Sequence, residues 1–262
     1  MPHPLTIRAV GGPTTVIEIG GLRLLTDPTF DPPGDYPIGD RTLTKTAPAA
    51  LSPGEVGAVD AVLLSHDQHW DNLDRLGREF LARVPRVLTT ASAATRIAHT
   101  TALPNWDEVV LRGPGATRLH VTGTPAQHGP DGTEALVGEV TGFVLWGDRL
   151  PTVYVSGDNA SLDVVARVAE RFPVIDVALI FAGAARTPLV DGYLTLTSVQ
   201  AARAAALLGA RRVVPVHCDS WRHFTEGAGD LRQAFARAGL ADRLVLLDPG
   251  QVAVLPGEPP GG

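Results

Sequence analysis

The densest run of chemistry-bearing side chains is Ser65-His66-Asp67-Gln68-His69-Trp70-Asp71-Asn72-Leu73-Asp74, which follows the apolar segment Ala61-Val62-Leu63-Leu64. Two histidines and three carboxylates crowd together where a buried strand should give way to a helix. Imidazole nitrogen and carboxylate oxygen are the donors that borderline divalent ions such as zinc prefer, and a strand-to-helix turn can aim several side chains at one point. A polar loop with surface histidines would give the same local sequence. Three further ligand types shift the balance toward a metal site, because each follows its own apolar run. They are His128 in Thr124-Pro125-Ala126-Gln127-His128-Gly129, Asp158 in Tyr154-Val155-Ser156-Gly157-Asp158-Asn159, and His217 in Val213-Val214-Pro215-Val216-His217.

This ordered set resembles the motifs of the metallo-β-lactamase fold superfamily, and in particular the branch holding L-ascorbate-6-phosphate lactonase and N-acylphosphatidylethanolamine phospholipase D. The resemblance runs from Thr26-Asp27-Pro28 to His217. Members of the superfamily carry His-x-His-x-Asp-His after a serine, then a histidine, a bridging aspartate and a last histidine. The first motif departs from that pattern. Anchored on Leu73-Asp74, His69 takes the place of the second histidine, Asp71 that of the aspartate, and Asn72 stands where the last histidine would be. Anchored on Ser65, His66 takes the first position with one extra residue before His69, whereas a gap-free alignment puts Asp67 there. The resemblance implies an α/β protein built as a four-layer α/β/β/α sandwich, with ligands gathered on loops along one edge. His66, His69 and His128 would then hold one metal, and Asp71, Asp158 and His217 a second, with Asp158 bridging. Zinc is the expected cofactor, as one or two ions, with manganese or iron as alternatives.

A three-histidine site leaves a coordination position open for water, and zinc lowers the pKa of such a water to about 7. Asp71 would orient that nucleophile toward a carbonyl or phosphoryl centre. The lack of a Gly-x-Ser-x-Gly elbow agrees with a reaction that uses no protein nucleophile. Asn72 is a poorer ligand than imidazole, so the second site is one donor weaker, and Asp67 or His223 could replace it. Trp221, His223 and Phe224 are expected in the pocket, His223 to protonate a leaving group or bind a polar atom. Trp70 is expected on the pocket floor, and Arg186 beside an anionic substrate group. His3, His99 and His120 read as structural or solvated, and Cys218 as filler. The leading expectation is a metal-dependent hydrolase acting on an ester, lactone, amide or phosphodiester of a small molecule, and not a true β-lactamase. The alternatives are a redox or lyase metalloenzyme of a biosynthetic pathway on the same fold, and a degenerate metal- or ligand-binding protein.

The elements that must position these residues follow from periodicity. Residues 5–10, 14–19 and 22–25 read as an antiparallel meander turned at Gly11-Gly12-Pro13 and Gly20-Gly21. Residues 28–48 are too rich in Pro and Gly for regular structure and read as a substrate-covering loop or a surface excursion. A helix is expected over 71–84, a strand at 87–88, and a helix over 91–98 capped by Thr90 or Ser92. Strands follow at 108–111, 117–122, 135–146 (broken by Gly138 and Gly142) and 152–156, with Asp148 in a hairpin turn. A helix over 162–172, a buried strand over 174–181, a helix over 198–208 capped by Thr197 or Ser198, and a strand over 211–216 then deliver His217. Two such series imply two sheets face to face with helices outside. Residues 1–255 read as a single domain and 256–262 as a disordered Pro/Gly tail.

Composition bounds the partners. With 262 residues, 44% of them hydrophobic, the chain can build an extensive core. A formal net charge of −6 with scattered arginines argues against a nucleic-acid binder, while a small neutral or anionic substrate is compatible with the local charge of metal ions. The single cysteine excludes an intrachain disulfide and fits a reducing compartment. Met1-Pro2-His3-Pro4 opens no export signal, and no apolar run has the length of a membrane span. A soluble cytoplasmic protein is expected, and a homo-oligomer is compatible with all of this.

Overall fold

The strand that leads into the His66 cluster divides its side chains between two cores. Ala61 and Leu63 join a cluster that also takes residues from a second sheet, whereas Val62 and the following Leu64 join one formed with helices. This period-two division recurs at Val177, Leu179 and Phe181 on one side and Ala178, Ile180 and Ala182 on the other. Strands apolar on both faces must be covered twice, which makes four layers.

The computed structural model describes residues 4–255. In chain order its strands are β1 (Leu5–Gly11), β2 (Thr14–Ile19), β3 (Leu22–Thr26), β4 (Gly34–Ile38), β5 (Arg41–Lys45), β6 (Ala61–Leu63), β7 (Val87–Thr89), β8 (Thr101–Ala102), β9 (Glu108–Arg112), β10 (Arg118–Pro125), β11 (Thr141–Trp146), β12 (Val153–Val155), β13 (Val177–Phe181), β14 (Arg212–Val216) and β15 (Val252–Leu255). The helices are α1 (Pro53–Val56), α2 (Arg75–Leu81), α3 (Ala91–Arg96), α4 (Glu134–Val137), α5 (Leu162–Arg171), α6 (Ser198–Leu207) and α7 (Ala228–Arg237). One sheet runs β15-β1-β2-β3-β6-β7-β8 and the other β14-β13-β12-β11-β10-β9, while β4 and β5 form a separate hairpin. Each large sheet joins an antiparallel meander to a parallel stretch, β3-β6-β7-β8 in the first and β12-β13-β14 in the second. Ile7, Ile17, Leu24 and Leu63 meet Phe143, Val155, Leu179 and Val214 in the central core. Val165, Ala201, Leu231 and Phe235 of α5, α6 and α7 cover one outer face, and Phe80 and Leu81 of α2 help cover the other. This is the expected α/β/β/α sandwich. No helix among the described residues is long and apolar enough to cross a membrane.

Several local expectations are corrected. The Pro/Gly-rich segment is not irregular throughout: β4 and β5 pair antiparallel, Tyr36 opposite Leu43 and Pro37 opposite Thr42. Pro37 is tolerated because the hairpin belongs to neither large sheet. The helix expected from Asp71 starts at Arg75, because Asp74 is its N-cap and its Oδ1 accepts from Gly77 N at 2.8 Å. Residues 135–146 do not form one strand: α4 ends at Gly138, whose φ of 93° no other residue adopts easily, and β11 starts at Thr141. Helix α7 and edge strand β15 have no counterpart among the expected elements. His3 and the 256–262 tail lie outside the described residues.

Candidate metal centre

The proposed ligands gather at one edge of the sandwich, beyond the C-terminal ends of β6, β10, β12 and β14. Local bonding explains how each is aimed. At the end of β3, the buried Asp27 accepts from Ser65 N through Oδ1 at 2.6 Å, which ties the turn after β6 to its parallel neighbour. Burial raises the Asp27 carboxyl well above its ordinary range, and the Ser65 backbone bond opposes that shift. Ser65 Oγ lies 3.0 Å from His66 Nδ1 and so turns Nε2 of that ring inward. His128 Nδ1 lies 3.0 Å from the carbonyl oxygen of Leu194. A carbonyl can only accept, so the proton sits on Nδ1 and Nε2 keeps its lone pair free.

His66 Nε2 and His69 Nδ1 are 3.0 Å apart, and His128 Nε2 is 3.3 Å from the same His69 nitrogen. Corners of a tetrahedron with arms of about 2.0 Å, the zinc–imidazole distance, stand about 3.3 Å apart. All three imidazoles are held below their usual pKa, chiefly by burial, and His128 falls to about 3. They are therefore neutral donors at physiological pH.

The second group is built on charge. His217 Nε2 lies 3.2 Å from Asp71 Oδ2, and His217 Nδ1 lies 3.3 Å from Asp158 Oδ1. Burial works against a charged His217, yet Asp158 and Asp71 outweigh it and lift the ring to about 9. Burial raises Asp158 to about 6, with His217 opposing. Burial would raise Asp71 as well, but His223 and His217 hold it well below the carboxylate range. Asp158 also approaches the first group, its Oδ2 lying 3.7 Å from His128 Nδ1.

The donor set fits a divalent cation. Each group can bring three ligand atoms within 4.8 Å of one another. Asp71 Oδ1 is buried without a hydrogen-bond partner, and such an orphaned atom calls for an explanation. A metal at these donors supplies one.

Asp158 is delivered by Gly157, whose φ is 57°. A Cβ at Gly157 would stand 2.4 Å from the Thr141 carbonyl oxygen and 3.1 Å from Ser65 Cβ. Gly157→Ala is therefore expected to cost roughly 2–4 kcal/mol through strain and overpacking. Denaturant unfolding of the metal-free protein measures it, and a loss under about 0.5 kcal/mol would show that the turn can relax.

The remaining expected site residues divide. His223 is in place, with Nε2 3.0 Å from Asp71 Oδ2. Asn72 donates through Nδ2 to Asp158 Oδ1 at 3.1 Å and to Ser65 Oγ at 3.4 Å, while its Oδ1 has no partner. Asp67 is turned away from both groups: Arg96 grips both its oxygens, Nε to Oδ2 at 3.0 Å, and Arg78 lies 3.9 Å off. His66, and not Asp67, is the residue that gathers with His69 and His128.

A cleft of about 180 Å³ opens over His69, Asp71, His128, Asp158 and His223. Arg186 lines it, but Trp70 and Trp221 do not. Trp70 donates to the Pro37 carbonyl at 2.7 Å and lies under Arg75. Trp221 is buried beneath Lys45 and Tyr36, where it supports the β4–β5 hairpin. The apolar spacing around both tryptophans cannot tell a pocket wall from the support behind it. His120 bonds Glu108 at 2.7 Å and stacks on Trp146, and His99 is exposed, so both lie away from the ligand groups. Cys218 packs against the outer helical core, and burial, with Asp219, pushes its thiol up to about 12.

Comparison with known proteins agrees with this geometry. A UPF0173 metal-dependent hydrolase of Pyrococcus furiosus is 26% identical over 215 residues, covering 81% of this chain and 88% of the relative. A solved structure of a possible metal-dependent hydrolase from Veillonella parvula superposes with TM-score 0.82 at 18% identity, covering 97% of this chain and 100% of that one. The isothiocyanate hydrolase from Delia radicum gut bacteria superposes with TM-score 0.81 at 22% identity, covering 95% and 99%. These likenesses concern the superfamily and not the lactonase and phospholipase D branch within it. The family model described as the beta-lactamase superfamily domain matches residues 22–218, which include both ligand groups, and the chain belongs to that family.

Proposed function

We propose that the chain is a metallo-hydrolase that cleaves an ester, lactone, amide or phosphodiester bond of a small molecule. The observation that carries this reading is the gathering of three neutral imidazoles, two of which (His69 and His128) line one small cleft together with the Asp71–His223 couple. The names of its relatives, metal-dependent hydrolases, support it. His66, His69 and His128 would hold the first ion, with zinc the leading choice, and Asp71, Asp158 and His217 the second. A divalent ion there supplies Lewis acidity and a water acidic enough to react near neutral pH. The chain's own residues provide the rest. Asp71 Oδ1, free of hydrogen bonds, orients the attacking water. His223 also lines the cleft, and its Nε2, 3.0 Å from Asp71 Oδ2, holds the Asp71 carboxylate in place beside the reacting bond. The cleft is smaller than the roughly 300–1,000 Å³ of pockets for drug-sized ligands, which suits a compact substrate. We place this activity in a single cytoplasmic domain.

Chelation followed by desalting is expected to lower turnover of generic esters or bis(p-nitrophenyl) phosphate by at least about a hundredfold, and zinc or manganese to restore it. Bound iron with dioxygen uptake would replace this reading with the redox one. A fully metallated protein that turns over none of these bonds would favour a binding protein.

A further inference from the structure

Outside the ligand groups and His223, the charged side chains that line the cleft are all of one sign among the described residues: Arg41 and Arg186. They are not equivalent. Arg186 is half exposed, lies over Tyr193 at 5.2 Å and has Asp191 3.9 Å away. Arg41 reaches from the hairpin across the mouth of the cleft, where its Nη1 donates to Thr187 Oγ1 at 2.8 Å. Its side chain is 26% exposed, and its ionic neighbour Asp40, 3.9 Å away, is 95% exposed and screened by water. Among the described residues no buried carboxylate pairs with it. A guanidinium has five donors in a planar fork suited to two oxygens of one anion, and here the cleft lies on its inner side. Apart from Thr42 and Thr187, the rest of the lining is apolar, formed by Ile38, Leu43, Ala185, Pro188 and Leu194.

We propose that Arg41 receives an anionic group of the substrate, which is therefore a small acid: a carboxylate joined by a short apolar spacer to the bond that is cleaved. This rests on the hydrolase reading of the same site. Thr187 steadies the guanidinium and leaves its other donors to the ligand. Cleavage of such a half-ester is balanced without a further reactant: the water oxygen bonds to the acyl carbon, the acyl C–O bond breaks, and the departing alkoxide takes a proton to leave as the alcohol.

The test is calorimetric titration of the metal-loaded protein with monomethyl glutarate and with the neutral dimethyl glutarate, with metal content measured alongside. Wild-type protein is expected to bind the half-ester at least about tenfold more tightly. Arg41→Met should remove most of that preference with metal content unchanged, Arg41→Lys should keep part of it, and Thr187→Val should keep most of it. An equal preference in Arg41→Met, or no preference for the acid in the wild type, overturns the proposal. So does a loss in Thr187→Val as large as that in Arg41→Met, which would make Arg41 only a strap across the mouth. Methanol release from the same compounds reports separately on hydrolysis. Arg41-dependent binding without methanol leaves this inference standing and removes the ester reading, whereas equal methanol release from both compounds does the reverse.

Discussion

His128→Ala is expected to strip the protein of tightly held metal and to lower turnover by roughly a thousandfold or more, about 4 kcal/mol of transition-state stabilisation. His128 is buried, its Nδ1 is committed to the Leu194 carbonyl, and its Nε2 completes the trio with His66 and His69. Two imidazoles cannot close a structural coordination shell, and the vacated carbonyl adds only about 1–3 kcal/mol of instability, so the variant should still fold. Metal analysis after desalting and turnover on the same sample check this. Retained metal with full activity would show that the three histidines are not the centre. The metal-free protein offers a further check. Burial keeps the three imidazoles neutral in the folded state below their ordinary pKa of about 6.5, while an unfolded chain protonates them near that value. At these three sites the unfolded state binds more protons, so their contribution to stability falls as pH drops from about 6.5 toward about 3, the folded value for His128, against the opposite contribution of the raised Asp27 and Asp158 carboxyls. His128→Ala removes one of the three groups and should flatten that fall.

The chemistry was legible because it repeats one device: an apolar run, then a ligand. Val62 and Leu64 against Ala61 and Leu63 specify a strand buried on both faces, and such a strand must end where its next polar side chains can meet others. What stayed hidden depends on contacts between distant elements. Asp27 looks like any aspartate before a proline, and only the pairing of β3 with β6 makes it the acceptor of the Ser65 amide. The hairpin was masked by its own prolines and glycines, whose turn signals outweigh five weak strand pairs. Its placement comes from elsewhere: Thr44 O accepts from Arg222 N at 3.0 Å, and Thr46 N donates to Ser220 O at 2.7 Å. Hence Arg41, inside that segment, gave no signal, while Arg186 after a clear strand did. Helix α7 carries Leu231, Ala234 and Phe235 at helical spacing but starts from Gly227, which offers no side-chain cap.

Metal analysis of protein purified without added metal is expected to give nearer one equivalent than two, and the reason lies in the second group. The second imidazole that superfamily members carry there is replaced by Asn72, whose Nδ2 faces Asp158 Oδ1 at 3.1 Å and so presents a donor hydrogen where a ligand would present a lone pair. His217, lifted to about 9 by Asp158 and Asp71, already carries a proton between these carboxylates at neutral pH. A cation entering the group must displace that proton, a competition the neutral trio does not face, so affinity there should climb as pH rises toward about 9. Asn72→His supplies the missing donor near the Asp158 carboxylate and is expected to raise the content toward two equivalents at pH 7. Asp158→Asn gives the complementary result: with one carboxylate neutralised, the second equivalent should be lost in both backgrounds. Two equivalents that survive desalting at pH 7 in the unaltered protein would show instead that Asp71, Asp158 and His217 suffice without a fourth donor.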